Sequence, residues 1–194
     1  MRPVLIFSLF ITFVTGSALA QAPQTACDRL AAHPSDTQKS APGVEQEDFD
    51  IPAARSACRD ALAAYPDEGR FAYQYGRSFF YEDKYEAALP YFEQAAESGH
   101  AQGQLVLGLV LMGGYAGDPD TCAAGRWWLA GARQNHLYSK IYLIQNWIDD
   151  LFEDCDLKLT ESEANDMIKA AAKLASTPQA RDDVAQLQDS WSQR

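Results

Sequence analysis

The chain has 194 residues, 47% of them hydrophobic, 11% aromatic and 22% charged, with a formal net charge of −11. That size supports one domain with its own core, and the balance excludes collagen-like, low-complexity and multi-span membrane chains. A chain this acidic, without clustered Lys and Arg, is also a poor partner for nucleic acid or anionic lipid.

Residues 1–20 read as an export leader. Arg2 precedes an apolar stretch from Val4 to Val14, and Ala18-Leu19-Ala20 forms an A-x-A cleavage site. The stretch is too short to span a bilayer, which takes about 20 residues. Cleavage is expected between Ala20 and Gln21. The mature chain then carries no membrane span and resides in the periplasm or outside the cell. It keeps Cys27, Cys58, Cys122 and Cys155. An even count in an exported protein argues for two disulfides, and four cysteines allow three pairings. No C-x-x-C occurs, so neither a zinc site nor a redox dithiol is expected, and no cofactor is implied.

Residues 21–50 form a loop-rich segment around Pro23, Pro34, Pro42 and Gly43, with a short helical piece at about 25–32. From Ile51 onward the apolar period is helical. Pro52 opens a helix that Tyr65-Pro66 ends. Further helices are predicted at 70–82, 84–98, 101–112, 121–134 and 137–152. Asp83 is read as a turn and N-cap, and a kink is expected at Pro90. Ile141, Leu143, Ile144, Trp147, Ile148 and Leu151 are read as inward on the helix at 137–152. A capping box, Thr160 to Glu163, opens 161–175, whose inward face includes Ala164, Met167, Ile168, Ala171 and Leu174. Thr177 and Pro178 start a last helix with Val184, Leu187 and Trp191 on one face. No alternating β-branched run appears, so the chain reads as all-α.

Two units repeat. Tyr75-Gly76 aligns with Leu107-Gly108, Ala88 with Ala124, Phe92 with Trp128, and Gly99-His100 with Asn135-His136. The period is 32 residues between Gly76 and Gly108 and 36 between His100 and His136, which places a four-residue insertion in the second loop. Gly76 and Gly108 let the two helices of a unit approach closely, and Gly99 or Asn135 supplies a left-handed turn. The first unit resembles a tetratricopeptide repeat through Gly76, Phe79, Ala88, Phe92 and Ala95. The second resembles a Sel1-like repeat through Leu107-Gly108, Leu111, Gly114, Asp118, Ala124, Trp127-Trp128 and Ala132. A third unit departs from the pattern, with Ile144 where Gly is expected. The resemblance implies a short right-handed α-solenoid of antiparallel helix pairs over 51–159. The disulfide-tied segment 21–50 covers one end of it and capping helices at 160–194 cover the other. Such repeats are mostly non-catalytic scaffolds for protein or peptide partners.

Enzyme motifs are missing from the sequence. There is no G-x-S-x-G, H-E-x-x-H or P-loop, and none of the 12 serines has Lys three residues on. An exported cell-wall-related or weakly β-lactam-binding protein stands as the alternative reading. Helices 121–134 and 137–152, joined by a tight turn, run antiparallel. That places Cys122 beside Cys155 and leaves Cys27 for Cys58. In a stacked array the first helix of each unit lines the concave face. The side chains expected there are Tyr73, Arg77 and Tyr81, then Leu105, Leu109 and Met112, then Ile141 and Gln145. Arg77, flanked by two tyrosines, is expected to grip a carboxylate. On this reading Arg77→Ala weakens capture of a partner and leaves the melting temperature nearly unchanged.

Overall fold

A computed structural model describes residues 22–194 of the chain. The leader and its cleavage point, Ala20–Gln21, lie outside the described residues. The described residues form nine α-helices, one short 3-10 turn and no strand: α1 (Ala26–Ala31), α2 (Ile51–Ala64), α3 (Gly69–Phe80), α4 (Tyr85–Glu97), α5 (Ala101–Gly113), α6 (Thr121–Arg133), α7 (Leu137–Ile148), α8 (Glu161–Leu174) and α9 (Pro178–Ser192). Among the described residues no helix is long and apolar enough to cross a membrane.

Antiparallel pairs build the array. α3 packs on α4, α5 on α6, and each pair stacks on the next. Small residues set the spacing. Ala88, Ala95, Ala124 and Ala132 are all fully buried. At Gly76 a Cβ would come within 2.9 Å of the Phe92 ring, and at Gly108 within 2.3 Å of the Trp128 indole. Trp128 cannot yield easily, because its Nε1–H donates to the Leu105 carbonyl at 3.1 Å. Gly108→Ala is therefore expected to cost about 2–3 kcal/mol through overpacking. Denaturant unfolding checks this, and an unchanged midpoint would refute the close-approach account.

The turns between pairs have a common chemistry. Gly99 (φ 85°) and Asn135 (φ 62°) are left-handed. The following histidines then begin the next helix: His100 Nδ1 accepts from Gly103 N–H, and His136 Nδ1 accepts from Ser139 N–H. Each His is thus an N-cap in the place usually held by Ser, Thr, Asp or Asn.

Both bridges are present, Cys27–Cys58 and Cys122–Cys155, with Cα–Cα distances of 4.5 and 5.3 Å. α1 lies against α2 and α3 and closes one end of the array. α8 and α9 close the other end over Leu143 and Ile144, both fully buried. Ile144, where the repeat would place glycine, belongs to the same buried core as Ala164, Met167 and Ile168 of the covering helix.

Several local expectations are corrected. α7 stops at Ile148, and Asp150 turns left-handed (φ 56°). Leu151 is therefore 48% exposed, and Phe152 is buried in its stead against Gly125. Leu174, at the end of α8, is also exposed. Asp83 is a left-handed turn residue (φ 56°), and the N-cap of α4 is Lys84. The Thr160 box is half formed: its hydroxyl accepts from Glu163 N–H, while the Glu163 carboxylate pairs with Arg133 at 2.9 Å. The helix at Pro90, by contrast, continues without a break as its apolar period implies: α4 runs through the exposed Pro90.

Candidate functional site: a trough on the first helices

The first helices of the three units, α3, α5 and α7, share one face. A cleft of about 370 Å³ opens there between α3, α5 and α7, walled at one side by His33 and Ser35 of the N-terminal segment. Its apolar wall comprises Phe80, Phe92, Leu105, Val106 and Leu109. A second cleft of about 410 Å³ shares Phe80, Leu109 and Tyr142 with the first and extends to Met112, Tyr115 and Asn146. The two form one trough, rich in aromatic rings.

Five of the side chains expected on this face line the first cleft: Tyr73, Arg77, Tyr81, Leu105 and Leu109. Met112 lines the second. Ile141 and Gln145 line neither. α7 instead turns Tyr138, Tyr142 and Asn146 inward. Those three recur at i, i+4 and i+8, so their common face is visible in the sequence. The register taken from Ile144 missed it, because no glycine marks a close helix approach on α7.

The expectation of a free Arg77 is corrected. Arg77 is 2% exposed and already engaged. Nη1 donates to the carbonyls of Ala31 (3.2 Å) and Ala32 (2.9 Å), Nη2 to that of Val44 (2.7 Å), and Nε to the Tyr81 hydroxyl (2.8 Å). Phe49 and Tyr81 also present ring faces to its guanidinium, 4.8 Å from each centroid. Tyr73, 2% exposed, and Leu105, 5% exposed, are packing residues at the floor rather than open contacts.

The N-terminal segment therefore does more than cover an end. Residues 32–44 cross the inner face. Val44 N–H donates to Ala32 O at 2.8 Å, closing the segment into a loop. Gln38 Oε1 accepts from Ala101 N–H at the start of α5. Asp36 Oδ2 faces His100 Nε2 at 3.2 Å, with both groups buried. Burial alone would push the Asp36 carboxyl up, but the His100 imidazole and the Gln38 amide hold it below its ordinary value.

His136 is 1% exposed, with Nε2 2.9 Å from Gln102 Oε1 and Nδ1 3.1 Å from Ser139 Oγ. Ser139 is itself fully buried, so this Ser–His pair is a buried helix cap. Burial pushes His136 down to about 4, and burial with the nearby Arg77 charge does the same for His33. A histidine with a depressed folded pKa is neutral in the fold while the unfolded chain takes up a proton. Stability is thus full above about pH 6.5 and falls as pH drops toward about 4. His136 alone is expected to remove on the order of 1–2 kcal/mol by about pH 5. Thermal melts of the parent and of His136→Asn, which keeps a capping side chain, should differ in slope between about pH 7.5 and about pH 5. Parallel slopes would show that His136 is not the titrating group.

No protein-family model matches the chain, and no curated protein matches it. Solved structures do. One is a protective antigen present in uropathogenic Escherichia coli strains and displaying an SLR fold, at 18% identity and a TM-score of 0.56 over 69% of this chain. Another is a Sel1 repeat protein from Oxalobacter formigenes, at 18% identity and a TM-score of 0.52 over 66% of this chain. The present chain spans 28% of the first and 54% of the second. The chain has the Sel1-repeat fold, an all-α array stapled by two disulfides.

Proposed function

We propose that this chain is an exported, non-catalytic repeat scaffold that holds a segment of a protein partner in the trough along α3, α5 and α7. Export rests on the leader at residues 1–20, and the two disulfides agree with an oxidising compartment. The carrying observation is the trough itself: a continuous, partly exposed line of Phe80, Leu109, Met112, Tyr115 and Tyr142 beside a sealed polar interior. Large amphipathic rings and a Met in a groove are the make-up of protein-binding surfaces.

A photo-crosslinking amino acid at Leu109 should capture a partner from an envelope extract, while the same group at Glu93, exposed on the outer helix α4, should not. Equal capture from both positions would remove the trough from the account.

A further inference from the structure

We infer that residues 33–39 form a flap that seats on the starts of α5 and α7 at neutral pH and lifts off them in mild acid, while the helical array stays folded. Such a flap governs access to the inner face whatever the trough holds.

The flap is the tip of a loop with a closed neck. Val44 N–H donates to Ala32 O at 2.8 Å, and a Cβ on Gly43 would come within 2.3 Å of Pro34 Cα. Loops of this length with their ends so close behave as compact units. Acid does not change the groups that pin the neck. The Arg77 guanidinium, charged at every pH, holds the carbonyls of Ala31, Ala32 and Val44, and the Cys27–Cys58 bridge holds α1 just before them. Gln24 holds the Ser40 carbonyl on the same side. The tip has hydrogen bonds of its own. Asp36 N–H donates to His33 O (3.0 Å), Gln38 N–H to Asp36 Oδ1 (2.8 Å), and Lys39 Nζ to the carbonyls of Pro34 (2.9 Å) and Asp36 (3.1 Å). It therefore moves without losing them.

The polar contacts of the tip with the array are few. Asp36 Oδ2 faces His100 Nε2 at 3.2 Å, Gln38 Oε1 accepts from Ala101 N–H at 2.7 Å, and the Ser35 backbone lies against His136. All three histidines of the chain thus meet in one seam, His33 in the tip and His100 and His136 beneath it.

The seam is short of negative charge. His136 faces Asp36 of the tip, His100 at the start of α5 and Lys140 of its own helix, with Gln102 and Ser139 as its hydrogen-bond partners. His33 faces Arg77 of α3, His136 at the start of α7, and Asp36 and Lys39 within the tip. The carboxylate common to all three imidazoles is that of Asp36. One proton in the seam has a counter-charge; a second and a third do not.

Burial holds His136 neutral down to about 4 while the tip is seated, and burial with the Arg77 charge does the same for His33, against an ordinary value of 6.5. Lifting the tip returns both rings to water, where they take up protons. The lifted form binds more protons, so a fall in pH below about 6.5 favours it. Full return to the ordinary value would shift the ratio of seated to lifted flap about thirtyfold per histidine by about pH 5. Asp36 stays ionised over that range: burial raises its carboxyl, but the His100 contact holds it below its ordinary value. Its hold on His100 persists and opposes the opening.

Hydrogen exchange read by mass spectrometry on the mature chain, at about pH 7.5 and about pH 5 with each rate divided by the intrinsic rate at that pH, separates flap from array. Peptides covering 33–44 should lose at least about tenfold in protection at the lower pH and regain it on return, while those from α3, α4 and α6 keep theirs. In the double variant His33→Asn, His136→Asn the side chains still accept from Ser35 and Ser139 N–H, and the flap should stay protected at both pH values. Loss of protection by flap and array together would overturn the inference, because acid then melts the fold as one unit. Unchanged flap protection in the parent would overturn it as well, and so would an equal acid loss in the double variant. Should the double variant not fold, His33→Asn alone, at a half-buried position in the tip, decides: the midpoint of flap opening should move to lower pH, and an unmoved midpoint would remove His33 and the inference with it.

Discussion

Arg77→Ala is expected to destabilise the chain by about 3–5 kcal/mol, on the scale of breaking a buried charged network. The carbonyls of Ala31 and Val44 lose their donor at once, while that of Ala32 keeps the Val44 N–H. Each buried polar group left unmatched costs about 1–3 kcal/mol, and water entering along the cleft relieves part of the sum. The loss falls on the N-terminal segment first, because these contacts fasten residues 31–44 to α3. Limited proteolysis should cut within 33–45 at protease levels that leave the parent intact, and the melting temperature should fall. An unchanged melt and unchanged proteolysis would show that the segment is held elsewhere. This reverses the expectation formed from the sequence, in which Arg77 was free to leave without harm to the fold.

Removing residues 160–194 is expected to abolish cooperative folding. α8 and α9 pack against α7 and share one core with Leu143 and Ile144, and they shelter Trp147, which lies 5.7 Å from Trp191 between ring centroids. Fully exposing a Leu or Ile costs about 1.5–3 kcal/mol each, and the Arg133–Glu163 pair is lost with them. The trimmed chain should aggregate, bind an apolar dye and melt without a sharp transition. A soluble 22–159 fragment with a cooperative melt would show that the array tolerates an open end.

The periodic features were legible because each rests on a local steric rule. Gly76, Gly108, Ala88 and Ala124 mark close helix approach, Gly99 and Asn135 mark left-handed turns, and the antiparallel pair dictated Cys122–Cys155. Illegible were the features set by irregular chain. Nothing in the composition of residues 32–44 says that they run across the inner face, since turn-rich segments have no period to read. Without that path, Arg77 looked like a charge awaiting a partner, and His100 and His136 looked like turn residues rather than helix caps. The helix face of Tyr138 and Tyr142 was readable at i, i+4 spacing, but the missing glycine at Ile144 removed the reference point for α7.

The Cys27–Cys58 bridge gives the inner-face segment a property of its own. Asp36 lies nine residues beyond Cys27, so if the segment lifts away its carboxylate stays within about 16 Å of the tether on average for a flexible chain. Its effective concentration at His100 is then in the millimolar range. Reseating is a first-order event that dilution of the protein does not slow. Any free-standing sequence seeking the same carbonyl-binding positions on Arg77 competes against that local concentration rather than against the bulk amount of protein.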